Sequence, residues 1–153
     1  MRPIRPSDSE ALRTMHRGLS SDTVYQRFFG WLAELPVKQA DWFTAVDGVD
    51  RLALIALRPD DGSIIGVARY TRLVPGSTTA EVAFVVTDAY QHHGLGTALI
   101  GRLIEEAQAH GVTELVADVL TTNGAMHRAF RDAGLSGQAT YDHGVAHLVM
   151  ALP

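Results

Sequence analysis

"YQHHGLGTALIGRLIEEAQAHG", residues 90–111, contains two glycines one residue apart, directly before a segment with helical apolar spacing. The apolar residues recur at three- or four-residue steps, as in an amphipathic helix, and they are Leu95, Ala98, Leu99, Leu103, Ile104 and Ala107. Gly111 follows where a helix commonly ends. Gly94 and Gly96 allow a tight turn that leaves the first N–H groups of the helix free. Such a corner favours the binding of a diphosphate, although a packed corner without a ligand would use the same glycines.

The composition is that of an ordinary globular domain. Of the 153 residues, 46% are hydrophobic and 20% are charged, which excludes a disordered or membrane-spanning chain. The opening "MRPIRPSD" has no apolar core of a secretory signal, so we expect a cytoplasmic protein. We also expect a single domain over residues 1–153, since this length fits one domain.

Charge and cysteine content narrow the classes of partner and of chemistry. The net charge is −4 and the 13 lysines and arginines are scattered, so neither nucleic acid nor a membrane is expected as a partner. Cysteine is absent, which removes a disulfide framework, a thiolate nucleophile and a cysteine-based zinc site.

The first third of the chain carries helical patterns after a short strand. Ser7 and Glu10 have the spacing of a capping box and predict the start of one helix. A cap at Ser21 or Asp22 predicts a second helix, in which Val24, Phe28 and Trp31 recur with helical spacing. A third helix is predicted after the proline of "ELPVKQADWF".

From residue 51 the pattern is that of strands. "RLALIALRP" and "SIIGVARYTRL", separated by "DDG", predict a hairpin, and "TAEVAFVVT" predicts a third strand of the same meander. After the glycine-cornered helix come a strand "ELVADVL", a helix "NGAMHRAFRDAG" and a last strand "VAHLVMAL". This order predicts a mixed α/β (α+β) domain with a largely antiparallel sheet and helices on both faces.

Three nucleotide-binding motifs can be compared with the glycine turn. A P-loop requires a lysine after the glycines, and none is present. The dinucleotide-binding pattern requires a small residue at position 99, where this chain has leucine, although Asp118 lies at a suitable distance downstream. That turn also usually follows the first strand of a parallel unit, whereas antiparallel hairpins precede it here.

The third motif, Q/R-x-x-G-x-G/A, is matched by Gln91, Gly94 and Gly96. Together with "EVAFVVTDAYQHHGLG" before the helix and "NGAMHRAFRDAGL" after it, the chain resembles the GNAT superfamily of N-acetyltransferases over nearly its whole length. "LSSDTVYQRFFG" further resembles the start of the GNAT domain of bacterial Pat-type protein lysine acetyltransferases, which modify AMP-forming acyl-CoA synthetases.

The resemblance implies a GNAT-like fold, acetyl-CoA as cosubstrate and no metal. In that family the loop and the helix start hold the pyrophosphate, which here assigns Gln91, His92, His93, Gly94, Leu95, Gly96 and Thr97 to cofactor binding. The strand before the loop pairs with the pantetheine arm, which places Phe84 and Val86 beside it. A backbone N–H of Val85 or Val86 would stabilise the oxyanion. His92 and His93 could instead simply face solvent.

Glu81 is the candidate catalytic residue. An alkyl amine has a pKa of about 10.4, so a base must remove a proton before the nitrogen can attack a thioester. Glu81 stands in the apolar strand "AEVAFVV", where a carboxylate is otherwise poorly placed, and relatives of the Pat type have a glutamate on that strand as general base. An ion pair of Glu81 with Arg69 or Arg72 of the neighbouring strand is the structural alternative.

Four further residues bear on this expectation. Many relatives use an asparagine at the end of the next strand to contact the cofactor, which would be Asn123 here, and the same residue could cap the following helix. Many also use a tyrosine as general acid where this chain has Phe130, so the thiolate would leave unprotonated or take a proton from water. His143 and His147 have a metal-ligand spacing, but the pattern around them predicts a turn and a strand.

The sequence therefore predicts transfer of an acetyl group from acetyl-CoA directly to an amine, with a protein lysine as the expected acceptor. A small-molecule amine acetyltransferase is the first alternative. A non-catalytic acyl-CoA-binding sensor is the second, because Phe130 removes the usual proton donor.

Overall fold

The computed structural model describes residues 1–153, in which five helices flank one sheet of seven strands. The helices are α1 (Ser9–Arg17), α2 (Ser21–Phe28), α3 (Val37–Thr44), α4 (Leu95–Ala109) and α5 (Gly124–Asp132). The strands are β1 (Arg2–Pro3), β2 (Arg51–Leu57), β3 (Ile64–Arg72), β4 (Thr79–Val86), β5 (Glu114–Leu120), β6 (Ser136–Asp142) and β7 (Val145–Ala151).

The strands lie in the order β1-β2-β3-β4-β5-β7-β6. Every neighbouring pair is antiparallel except β4 and β5. The expectation of a mixed, largely antiparallel sheet is therefore confirmed.

The parallel pairing of β4 with β5 is unusually short. It joins Thr79 to Glu114, Ala80 to Leu115 and Glu81 to Val116, and it ends there although β4 continues to Val86 and β5 to Leu120. Beyond Glu81 the two strands diverge, so each has an unpaired edge facing the other. The position of this gap decides where a ligand can enter the sheet.

Each face of the sheet has its own core. The even-numbered side chains of β4, such as Val82, pack with α4 and α5 in the larger core, which includes Leu99, Leu103 and Phe130. The odd-numbered side chain Val85 packs on the other face against the smaller core that α1 and α3 form over β2 and β3. Helices thus cover both faces, as the sequence predicts.

The start of α1 differs from the predicted capping box. A short 3-10 turn covers Pro6–Asp8 and the helix begins at Ser9, so Ser7 is not its N-cap. The side chain of Asp8, which is 7% exposed, accepts two hydrogen bonds of 2.8 Å from Arg2 and one of 2.7 Å from the Arg5 N–H. These three donors satisfy the hydrogen-bonding needs of the buried carboxylate. They hold Asp8 in the turn, so the helix begins later than a cap at Ser7 would place it.

We expect Asp8→Asn to lower the free energy of unfolding at neutral pH by about 1–2 kcal/mol, since charge-assisted hydrogen bonds are lost. The hydrogen bond with Arg2 lowers the pKa of Asp8 although burial opposes this. A carboxyl whose pKa is lowered by folding stabilises the protein above its unfolded pKa of about 4, and this is lost as the pH falls through the folded value. Denaturant titrations of both proteins should therefore differ at pH 7 and converge in acid; a difference that persists at low pH would contradict the assignment.

Two features of the fold were not predicted. The second helix is capped by Ser20, whose side chain accepts from the Thr23 N–H, and it ends at Phe28, so Trp31 lies outside it with 65% of its surface exposed. Strand β6, all of whose residues are exposed, pairs with β7 at the edge of the sheet.

No helix combines the length and the apolar character that crossing a membrane requires.

Candidate active site

A cavity of about 480 Å³ opens where β4 and β5 diverge. Residues of β4 form one wall, the loop before α4 and the first turn of α4 form the second, and the start of α5 forms the third. Helix α2 closes the side on which Glu81 lies, with Arg27 and Phe29 among the lining residues. The sheet gap and the glycine turn therefore belong to one cavity.

The N-terminus of α4 has free donors at this cavity. The N–H groups of Leu95, Gly96 and Thr97 donate no hydrogen bond of normal geometry within the protein, and no side chain caps the helix. Gly94 is the N-cap in the left-handed conformation, with φ +82°. A helix start with unpaired amides and the positive end of the helix dipole is suited to an anion such as a phosphate.

The two glycines serve different purposes. A Cβ on Gly94 would meet no atom within 4 Å, so its backbone conformation is what requires glycine. A Cβ on Gly96 would lie 3.0 Å from the Phe84 ring, so the absence of a side chain there lets α4 approach β4 closely. Only Gly94 therefore shapes the turn itself.

The side chain of Gln91 is committed inside the protein. Its amide nitrogen donates to Val86 O at 3.0 Å and to Thr23 Oγ1 at 3.1 Å. Asp88 continues this network, because it accepts from the Ser20 N–H at 3.0 Å and from Thr23 Oγ1 at 3.1 Å. Partial burial raises the pKa of Asp88, but these hydrogen bonds outweigh it and lower the pKa overall. The network ties α2 to the loop before α4.

The remaining predicted loop residues are not all at the cavity. His92 and Thr97 line it, and His92 has φ +64°, a conformation in which histidine is more common than most residues. His93 is exposed and Leu95 packs against the larger core, so neither side chain lines the cavity. Leu95 can contribute only its backbone N–H.

The edge of β4 supplies backbone groups to the gap. The Thr87 N–H donates to Ile65 O on β3 at 2.9 Å. Since backbone groups alternate along a strand, Val85 also directs its N–H toward β3, opposite Val67. Phe84 and Val86 direct theirs toward the gap. Of the two predicted oxyanion donors, the geometry therefore retains Val86 and removes Val85.

Glu81 occupies the last paired position before the gap. It faces Thr71 on one side and Val116 on the other, and its exposed side chain lines the cavity. The ion pair with an arginine of β3, which was the structural alternative for Glu81, does not form. Arg69 donates to Phe43 O, and Arg72 pairs with Asp50 at 3.1 Å and donates to His110 O. Glu81 has no hydrogen-bond or ion-pair partner within the protein.

A second carboxylate lies near Glu81. Asp118 projects from the same face of the sheet, because Val116 pairs with Glu81 and Asp118 is two residues further along β5. It lines the cavity and is hydrogen-bonded to His147 Nδ1 at 2.5 Å. In contrast to Glu81, this carboxylate is already engaged.

Asn123 caps α5 and also borders the cavity. Its Oδ1 accepts from the Met126 N–H at 3.2 Å, as the capping interpretation expects. The side chain is buried, with 7% exposure. Both interpretations of this asparagine are compatible with its position.

Phe130 is enclosed in the larger core rather than placed at the cavity. It is 2% exposed and packs edge-on against Phe84, with ring centroids 5.8 Å apart. It is not among the residues that line the cavity. A hydroxyl group at this position would thus enter the core.

We expect Phe130→Tyr to leave kcat within about threefold of the parent and to lower the free energy of unfolding by about 1–3 kcal/mol, since a buried hydroxyl without a partner is costly. Thermal unfolding and steady-state kinetics measure the two effects. Phe130→Leu is the control for loss of ring packing alone. A clear increase in kcat for Phe130→Tyr would mean that the hydroxyl reaches the reacting atoms.

Sequence reasoning missed two residues of α2 that line the cavity. Thr23 and Arg27 fall on the same helical stripe as Val24 and Phe28, and a cation on a buried stripe was the available signal. His143 and His147 lie on a turn and on β7, as predicted, and no group of three or more potential metal ligands is found.

Comparison with known proteins shows which family this chain is similar to. The model of the acetyltransferase (GNAT) family matches residues 13–135. The acetyltransferase Pat of Mycolicibacterium smegmatis is 36% identical over 129 residues, which cover 84% of this chain and 38% of that protein. The chain therefore spans about two fifths of the length of this curated relative.

Two solved structures have the same fold. The crystal structure of the GNAT domain of S. lividans PAT matches with a TM-score of 0.89 and 34% identity, over 99% of this chain and 89% of that one. A cAMP-binding acyltransferase from Mycobacterium smegmatis matches with a TM-score of 0.69 and 30% identity, over 99% of this chain and 43% of that one. The chain belongs to the acetyltransferase (GNAT) family.

Proposed function

We propose that residues 1–153 form one acetyltransferase domain that uses acetyl-CoA to acetylate an amine directly, and that the acceptor is a protein lysine. The observation that carries the proposal is the cavity at the gap of the sheet, which joins free helix amides, an unpaired strand edge and an unpaired carboxylate. The lysine acceptor is supported by the similarity to Pat proteins.

The residues suit the parts of acetyl-CoA. Its diphosphate would accept from the N–H groups of Leu95, Gly96 and Thr97, and its pantetheine amides would pair with the free edge of β4 at Phe84 and Val86. Gln91 would act by holding the loop rather than by touching the phosphates, because its amide is already bonded. Acetyl-CoA supplies the activated acetyl thioester.

The chemistry requires the acceptor ammonium to lose two protons in all, and it requires the negative charge that develops on the thioester oxygen to be stabilised. Glu81 would take a proton from the acceptor ammonium, directly or through a water, so that the neutral nitrogen can form a bond to the thioester carbon. The Val86 N–H would donate to the thioester oxygen as negative charge develops there. The carbon–sulfur bond then breaks, the nitrogen releases its second proton to solvent, and CoA leaves as the thiolate, which needs no side-chain acid at position 130.

An acetylation assay with two kinds of acceptor tests the proposal. The protein is incubated with acetyl-CoA and either an AMP-forming acyl-CoA synthetase or a panel of small amines, and products are identified by mass spectrometry. Acetylated lysine on the synthetase is the expected result. Acetylation of small amines alone would favour a small-molecule enzyme, and binding of acetyl-CoA without turnover would favour a sensor.

A further inference from the structure

Three arginines meet where α2 and α3 pack on the sheet: Arg27, Arg51 and Arg69. Arg69 is 8% exposed and the other two are half-buried. None of the three forms an ion pair with a carboxylate. Burial, followed by the charges of Arg27 and Arg51, lowers the pKa of Arg69. The region is thus a cluster of positive charge without a salt bridge, in which Asp47 and Glu81 lie close enough to act on the charges of Arg51 and Arg27.

Two of these arginines bind carbonyl oxygens at the end of α3. Arg51 donates to Ala45 O at 3.1 Å and to Trp42 O at 2.6 Å, and Arg69 donates to Phe43 O at 3.2 Å. Cations near the carbonyl end of a helix are favoured by its dipole and by its unpaired oxygens. Arg51 and Arg69 therefore have a structural role.

Arg27 has no such role. Its guanidinium makes cation–π contacts with the Phe28 and Phe43 rings, at 4.9 Å and 5.7 Å from the ring centres, but it donates no hydrogen bond within the protein. Burial lowers its pKa, and the charge of Glu81 only partly opposes this. A guanidinium offers five N–H donors, and leaving them unused in a partly desolvated place is costly.

Arg27 is also the only member of the cluster that reaches the main cavity, where it lies on the same side as Glu81. Glu81 is close enough to act on its charge but does not form an ion pair with it. The cavity is therefore lined by a carboxylate and a guanidinium that form no ion pair with each other, although each acts on the other's charge. Such a pair is complementary to a ligand that carries a cation and an anion close together.

We propose that Arg27 determines acceptor specificity by binding a carboxylate that the acceptor carries close to its reactive amine. The inference rests on the proposed acetyl transfer and adds the chemical class of the acceptor. The carboxylate can come from an acidic residue beside a protein lysine or from the acceptor's own carboxyl group in an amino acid. Arg27 and Glu81 would then fix the two ends of the acceptor at once.

Two matched pairs of acceptors test this proposal. The first pair is a short peptide with Lys-Asp and the same peptide with Lys-Asn, and the second is free lysine and lysinamide. We expect kcat/KM to favour the carboxylate member of one pair by roughly 10- to 100-fold, the range of a charge-assisted hydrogen bond. A preference within the peptide pair identifies a protein acceptor, and a preference within the lysine pair identifies a small molecule.

Variants of Arg27 complete the experiment. Arg27→Met keeps the packing on Phe28 but should abolish the preference, whereas Arg27→Lys should retain part of it. Arg58→Gln is the control, because Arg58 pairs with Asp60 on the turn between β2 and β3, outside the cavity. Melting temperatures of all variants separate a loss of recognition from a loss of fold.

The possible outcomes distinguish failure of the proposal on Arg27 from failure of the proposed acetyl transfer on which it rests. Acetylation of all four acceptors without preference would overturn the inference alone. So would an equal loss of kcat/KM for both members of a pair in Arg27→Met, since Arg27 would then act on the reaction or the fold. If the wild-type protein binds acetyl-CoA and acetylates neither these four acceptors nor the synthetase and small amines of the first assay, the proposed function itself fails.

Discussion

Glu81→Gln is expected to lower kcat by roughly 100- to 10,000-fold, the range that a general base contributes. Glutamine keeps the size and the position of the side chain at the end of the β4–β5 pairing, but it cannot take a proton from the acceptor. Because Glu81 has no partner in the protein, no ion pair is broken by the change. The affinity for acetyl-CoA, measured by calorimetry, should stay within about threefold.

Asp118→Asn is the matched comparison for this variant. Asp118 lines the same cavity on the same face of the sheet, but its carboxylate is bonded to His147. A large loss of kcat in Asp118→Asn with little loss in Glu81→Gln would transfer the role of base to Asp118. Equal turnover of all three proteins would mean that neither carboxylate accepts the proton.

Gly94→Val is expected to raise the Kd for acetyl-CoA at least about tenfold. An L-residue in the left-handed region costs about 1–2 kcal/mol, a β-branched one is a clear outlier there, and 1.4 kcal/mol corresponds to a factor of ten. The loop can relieve this strain only by leaving its conformation, which turns the free N–H groups of α4 away from the diphosphate.

Gly62→Val supplies the control for this prediction. Gly62 has φ +72° and, as at Gly94, a Cβ added to it would meet no atom within 4 Å, but it lies in the turn between β2 and β3. Both variants should lose similar stability, and only Gly94→Val should lose affinity in calorimetry. If both bind acetyl-CoA as the parent does, the amides of α4 are not its binding site.

The local elements of the fold are predictable because their signals are local. The stripe from Leu95 to Ala107 predicts α4, and the turn residues around Gly62 predict the hairpin of β2 and β3. The corner at Gly94 is predictable for the same reason, since one glycine suffices to mark a left-handed residue before a helix. The order of the helices and strands then limits the fold to a mixed sheet.

The missed features depend on distant parts of the chain. Strand β6 has no apolar alternation and exists through its pairing with β7. The end of the β4–β5 pairing at Glu81 is not marked by any residue type, because it results from how two distant strands diverge. Val85 and Val86 are equivalent in sequence, and only the hydrogen bond from Thr87 to Ile65 distinguishes their directions.

Side-chain partners are the least predictable part of the site. From the sequence, Arg69 and Arg72 are equally plausible partners for Glu81. In the structure their guanidinium groups instead bind backbone carbonyls and Asp50. Gln91 is recognisable as part of a motif, but its contact with Thr23 crosses 68 residues of sequence. Arg27 is not predicted as a site residue, because a single arginine among aromatic residues is easily interpreted as a solvent-exposed residue.

The short pairing of β4 with β5 and the gap beyond it determine which substitutions this domain tolerates. A bound pantetheine arm would act as a missing eighth strand, inserted where the sheet stops pairing with itself. Recognition of that kind is made by main-chain atoms, which every amino acid except proline supplies in full. The side chains of β4 at the gap can therefore change over evolution while binding of the cosubstrate is retained. Proline at Phe84 or Val86 is the substitution that would abolish a backbone N–H at the gap.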